Sequence, residues 1–115
     1  MTVTIYHNPR CSKSRLTLQL LKDRGIEPTV IEYLQAPPDA ETLKGILDLL
    51  GLAPRDFMRV KEEAYAANGL ADESLDDGQL IAAMVANPIL IDRPVVLANG
   101  KAAVGRPPEN VEEIL

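Results

Sequence analysis

Between residues 2 and 34 the chain places one helix-forming stretch between two short β-forming stretches, and that order leaves few folds open. Thr2-Val3-Thr4-Ile5-Tyr6 is rich in β-branched residues and ends at His7-Asn8-Pro9, a cluster with turn chemistry, which predicts a strand followed by a tight loop. From Ser12 the residues Leu16, Leu18, Leu20 and Leu21 fall in a helix-forming stretch that runs to Arg24 and stops at Gly25, a natural C-terminal cap. Residues 29–34, Thr-Val-Ile-Glu-Tyr-Leu, read as a second strand. Two strands separated by a helix run parallel, since a tight turn joins only antiparallel neighbours. The opening is an α/β unit.

Further along, Pro37-Pro38-Asp39 supplies a stop and a cap, and Leu43, Ile46, Leu47 and Leu50 repeat on one helical face until Gly51. Short helical pieces are expected from Arg55 to Arg59 and from Glu62 to Asn68, then a clearer helix from Asp76 to Val85, capped by an acidic pair. Pro94-Val95-Val96-Leu97-Ala98 and Lys101-Ala102-Ala103-Val104 flank Asn99-Gly100, the strongest short-range hairpin signal. A last short helix is expected after Pro107-Pro108. No repeat or linker divides the chain, so residues 1–115 are expected to form a single domain. The predicted class is α/β: a small mixed sheet flanked by helices, with a helical insertion in the middle of the chain. That order suits a thioredoxin-like layout, in which Pro94 stands where such folds usually carry a cis-proline.

A chain of 115 residues can bury one core. Its net charge of -5 gives no overall attraction to polyanions, which argues against nucleic acid and anionic membrane surfaces as partners. The apolar stretches are too short to span a bilayer, and the first residues enter a strand pattern rather than a signal peptide. With one cysteine there is no internal disulfide to form, so a reducing, cytoplasmic location is expected.

That cysteine, Cys11, falls where the first loop meets the first helix, and the free amide N–H groups of a helix start stabilise a thiolate. His7, Arg10, Lys13 and Arg15 add potential positive charge, and Ser14 is placed to donate a hydrogen bond to the sulfur. A lone cysteine is as often a small buried hydrophobe; the loop position and the basic neighbours weigh against that here. A thioredoxin-type dithiol would need a second cysteine at position 14, where the sequence has Ser14, so an oxidised Cys11 must be resolved by an outside thiol. One Cys and one His leave a zinc site short of ligands, so no metal is expected.

The string His7-Asn8-Pro9-Arg10-Cys11-Ser12-Lys13-Ser14-Arg15 closely resembles the active-site loop of the glutaredoxin-coupled arsenate reductase family. The resemblance continues through Glu27-Pro28, Tyr33-Leu34, Arg59, Leu70-Ala71, the segment from Asn87 to Pro94, and Gly105-Arg106-Pro107, and so covers nearly the whole chain. It is nearest to a shorter branch of arsenate-reductase-like proteins. The resemblance implies that Cys11 attacks arsenate, that Arg59, Arg93 and Arg106 bind the oxyanion, that His7, Ser14 and Arg15 complete the loop, and that Pro94 is the cis-proline. It implies no bound cofactor, with glutathione as co-substrate and a glutaredoxin as partner. Forked, charge-assisted donors of the arginine type suit a tetrahedral oxyanion. Ser12 and Lys13 depart from the family's loop, which has a small residue and a threonine there. Two other readings remain: a glutathione-linked thiol reductase acting on a different substrate, and a regulatory binding protein similar to the Spx regulators of RNA polymerase.

Overall fold

Asn99 and Gly100 both take positive φ, 55° and 71°, the geometry whose twist lets two residues close an antiparallel hairpin. They join β3 (Val95–Ala98) to β4 (Lys101–Val104), with Val95 opposite Val104 and Ala98 opposite Lys101. In the computed structural model, which describes residues 2–115, this hairpin belongs to the first of two compact units. That unit comprises the chain up to Ala36 together with Arg93–Leu115; the other is Pro37–Asp92.

The first unit holds β1 (Val3–His7), α1 (Ser12–Asp23) and β2 (Thr29–Glu32) as well as the hairpin. The sheet order is β2-β1-β3-β4, with β1 and β2 parallel and the other pairs antiparallel. This is the mixed sheet that the element order predicts. Val3 pairs with Ala98 and Ile5 with Val96, and the two-residue period of a strand puts all four on one face. Leu21 from α1 and Val111 and Ile114 from the last segment complete the apolar cluster on that face.

One boundary differs from the sequence reading, and two details add to it. The second strand stops at Glu32, because Gln35 and Ala36 both donate their amides to the Glu32 carbonyl and turn the chain. The last segment, expected as a short helix after Pro107-Pro108, is a 3-10 helix over Pro108–Ile114. The buried positions of α1 are Ser14, Thr17 and Leu21, while Leu16 is 55% exposed. Two hydroxyls therefore face inward on this helix. Thr17 pairs its hydroxyl with the Lys13 carbonyl at 2.8 Å, which removes the cost of burying it.

The second unit is helical. α2 (Ala40–Leu50) starts at Asp39, whose carboxylate accepts the Thr42 amide at 2.8 Å, and ends at Gly51 with φ 69°. α3 (Pro54–Phe57) and α4 (Glu63–Ala67) follow, then α5 (Asp77–Ala86), which opens with a capping box between Asp76 and Gln79. Arg55 clasps this unit internally, donating to the Tyr65 hydroxyl at 2.8 Å and to the carbonyls of Leu70 and Asp72 at 2.6 and 3.0 Å. A 3-10 turn at Pro88–Leu90 and a bridge from Met58 to Ile91 were not foreseen in the sequence. No helix among the described residues is long and apolar enough to cross a membrane.

Gly105 is the glycine with the least room for a side chain. A Cβ there would lie 2.9 Å from Pro94 Cγ and 3.0 Å from Thr17 Cγ2, whereas a Cβ on Gly45, inside α2, meets nothing within 4 Å. Gly105→Ala should destabilise the fold by about 1–3 kcal/mol through overpacking, and Gly45→Ala should stabilise it by roughly 0.5–1 kcal/mol through helix propensity. Urea midpoints that shift in opposite directions would verify this.

Candidate active site

β1 ends at His7 and α1 begins at Ser12, so Cys11 is the N-cap residue of α1, in extended conformation (φ -92°, ψ 124°). A side chain at this position ordinarily accepts an amide N–H from the second or third helical residue. In Cys11 the group at that position is sulfur, which makes no regular capping hydrogen bond but lies where those amides act on it. Partial burial by itself pushes the thiol pKa up, but four contributions outweigh it: the Ser14 amide, the Arg93 charge, the Lys13 amide and a hydrogen bond from the Arg93 guanidinium. The net result is a pKa below the ordinary thiol value. No acidic residue occupies the first turn of α1, so no carboxylate opposes the thiolate there.

Arg93 reaches this place through the sheet. The ladder that pairs Tyr6 with Val95 brings Pro94, and Arg93 just before it, alongside the end of β1 where the cysteine loop departs. The Arg93–Pro94 peptide is cis, and the Gly105 amide donates to the Pro94 carbonyl at 2.9 Å.

Below the loop, His7 is only 6% exposed. Its Nδ1 lies 2.7 Å from Ser14 Oγ, which also accepts the Asn8 amide at 3.0 Å. The Ser14 hydroxyl keeps one lone pair and its hydrogen, so it pairs with Nδ1 in either ring tautomer. Burial lowers the His7 pKa; Glu32, its register partner on β2, acts in the opposite direction, and Arg15 and Lys22 lower it further, so the ring is held neutral. The loop itself is laced by three hydrogen bonds. Asn8 Oδ1 accepts the Arg10 amide at 3.0 Å, the Asn8 carbonyl accepts the Cys11 amide at 3.0 Å, and the Pro9 carbonyl accepts Arg15 Nη1 at 2.8 Å.

Two sequence expectations are corrected by this geometry. Ser14 serves the sulfur with its amide, because its hydroxyl is engaged by His7 and Asn8. The cation acting on the thiol is Arg93 rather than Arg10, Lys13, Arg15 or His7: Arg15 is turned back onto Pro9, and His7 is neutral. Of the three arginines singled out, Arg93 is thus at the sulfur. Arg106 belongs to the same unit, exposed, just past β4. Arg59 lies in the other unit, ion-paired with Glu62 and 3.4 Å from the Ile89 carbonyl.

Sequence reasoning missed Asn8 and Glu32. The signal for Asn8 was present in the Asn-Pro turn, whose side chain commonly bonds its own backbone two residues on. Glu32 could be found only through the parallel register. A pocket of about 270 Å³ opens beside the loop, with walls that include Asn8, Pro9 and Arg10 on the loop side and Glu32, Leu34 and Gln35 on the β2 side.

A β-α-β opening, a lone ionisable cysteine heading the first helix, and a cis-proline leading into a hairpin define a thioredoxin-like protein with a monothiol site. The chain belongs to the ArsC family, which it matches over residues 6–114. It is 58% identical to the uncharacterised protein YfgD of Escherichia coli K12, over 98% of this chain and 96% of that one. It is 54% identical to an arsenate reductase of Neisseria meningitidis serogroup A, over 98% and 97% of the two chains. Among solved structures, an arsenate reductase from Vibrio cholerae superposes with a TM-score of 0.97 at 54% identity, covering 100% of this chain and 98% of the other.

Two measurements follow from the site. Arg93→Ala should raise the Cys11 pKa, so that iodoacetamide alkylation reaches half its maximal rate at a higher pH than in the wild type. The depressed thiol also stabilises the fold above the pKa of an unfolded cysteine, and that part is lost as pH falls through the folded value; the variant should lose some of it. Ser14→Ala takes the partner from a buried imidazole nitrogen and a buried amide, and should cost about 1–3 kcal/mol in chemical denaturation.

Proposed function

We propose that this chain is an arsenate reductase working through a single thiol, with glutathione as reductant and a glutaredoxin as recycling partner. The observation that carries the reading is the Cys11 sulfur at the N-terminus of α1, favoured as thiolate and within reach of the Arg93 guanidinium. The family membership and the named relatives support arsenate as the oxyanion.

The chemistry follows from that arrangement. The Cys11 thiolate bonds to arsenic and one arsenate oxygen leaves as water, carrying its own proton and one taken from solvent. Arg93 offsets the charge on the remaining oxygens, and Arg59 and Arg106 are assigned to the same task. A glutathione thiol then attacks the Cys11 sulfur of the adduct. The sulfur–arsenic bond breaks with its electron pair on arsenic, which passes from the pentavalent to the trivalent state and leaves as arsenite. The two sulfurs, oxidised by one electron each, remain joined as a mixed disulfide. A glutaredoxin thiol takes the glutathione and restores Cys11. Such a cycle needs a reducing compartment, and the proposal includes a cytoplasmic location.

The test is NADPH consumption with arsenate, glutathione, glutaredoxin and glutathione reductase. Cys11→Ser should fall to background, and Arg93→Ala should lose about 10²–10³-fold in kcat/KM, as expected for removal of one preorganised oxyanion donor. Turnover that survives in Cys11→Ser would overturn the mechanism.

A further inference from the structure

The pocket beside the cysteine loop carries opposite charges on its two walls, Arg10 from the loop and Glu32 from the end of β2. Opposite charges that line one small cavity usually pair with each other. These do not: among the described residues neither side chain forms an ion pair or a hydrogen bond. Both are exposed, and Glu32 acts on His7 only through its field. The pocket also presents Gln35, whose backbone amide is bound to the Glu32 carbonyl while its side-chain amide has no partner among the described residues, and Leu34, which is 40% exposed.

This pattern does not suit arsenate, since the Glu32 carboxylate would repel an oxyanion. It suits a group bearing both charges on one carbon, an ammonium for Glu32 and a carboxylate for the forked Arg10 guanidinium. A volume of about 270 Å³ fits an amino-acid-sized group rather than a large ligand. The Gln35 amide adds a donor and an acceptor for a peptide bond. Arg10 is the residue immediately before Cys11, so a ligand anchored there has its next residue beside the sulfur.

We infer that this pocket is the binding site for the zwitterionic γ-glutamyl end of the peptide thiol that reduces Cys11, an inference that rests on the glutathione reading given above. Glu32 holds the α-ammonium, Arg10 the α-carboxylate, and Gln35 the following amide.

The test compares glutathione with 2-mercaptoethanol as reductants in arsenate turnover. The ratio of their kcat/KM values should fall about tenfold in Arg10→Ala and in Glu32→Gln, the scale of one lost charge-assisted hydrogen bond. A ratio unchanged in both variants overturns the inference, whatever happens to the absolute rates. A second measurement needs neither arsenate nor a thiol. S-methylglutathione titrated into the wild-type protein should shift the NMR amide signals of Asn8, Arg10, Glu32 and Gln35, with weaker binding in both variants. Shifts that lie elsewhere, or that persist unweakened in the variants, overturn it, as does free glutamate binding equally well. If the wild type gives no glutathione-dependent turnover of arsenate, the functional reading fails, and the titration alone decides whether the pocket takes the γ-glutamyl group.

Discussion

The Ser14 hydroxyl joins the end of β1 to the first turn of α1, and the cysteine loop depends on that junction. It accepts the Asn8 amide and meets His7 Nδ1, so one buried oxygen fixes the strand end, the imidazole and the third helical residue together. With these three points held, Cys11 has little choice but to occupy the N-cap. The amides of Lys13 and Ser14 then act on its sulfur without any further device. The local field is set mainly by backbone and by one guanidinium delivered from a neighbouring strand.

Much of the fold was legible because its signals are local. Asn99-Gly100, the Asp39 cap, the Gly25 and Gly51 stops and the strand-helix-strand opening each declare themselves within a few residues. What escaped was set at a distance. The Ser14 and Thr17 face of α1 is buried because of what packs on it, including the close approach of Gly105, and no helical periodicity of leucines reports that. The 3-10 turn at Pro88–Leu90 begins at the proline of an Asn-Pro pair that reads equally well as loop.

The site was legible in its nucleophile and less so in its charges. Cys11 could be placed by loop chemistry alone, but the cation beside it could not, since Arg10, Lys13 and Arg15 are closer in sequence than Arg93. The deciding facts are the antiparallel pairing of β1 with β3 and the turning of Arg15 onto the Pro9 carbonyl. Proximity along the chain is a poor guide to which charge a sulfur feels once a sheet has formed.

The N-cap position of Cys11 also bears on how the sulfur lets go. The same amides and guanidinium that favour its thiolate as an attacking group favour it as a leaving group, because the bond to a partner sulfur breaks fastest toward the better stabilised anion. A mixed disulfide on Cys11 removes the anion that α1 otherwise holds at its start, where no carboxylate stands in for it. A thiolate stabilised at a helix start in this way favours the reduced form of its sulfur in any exchange it enters.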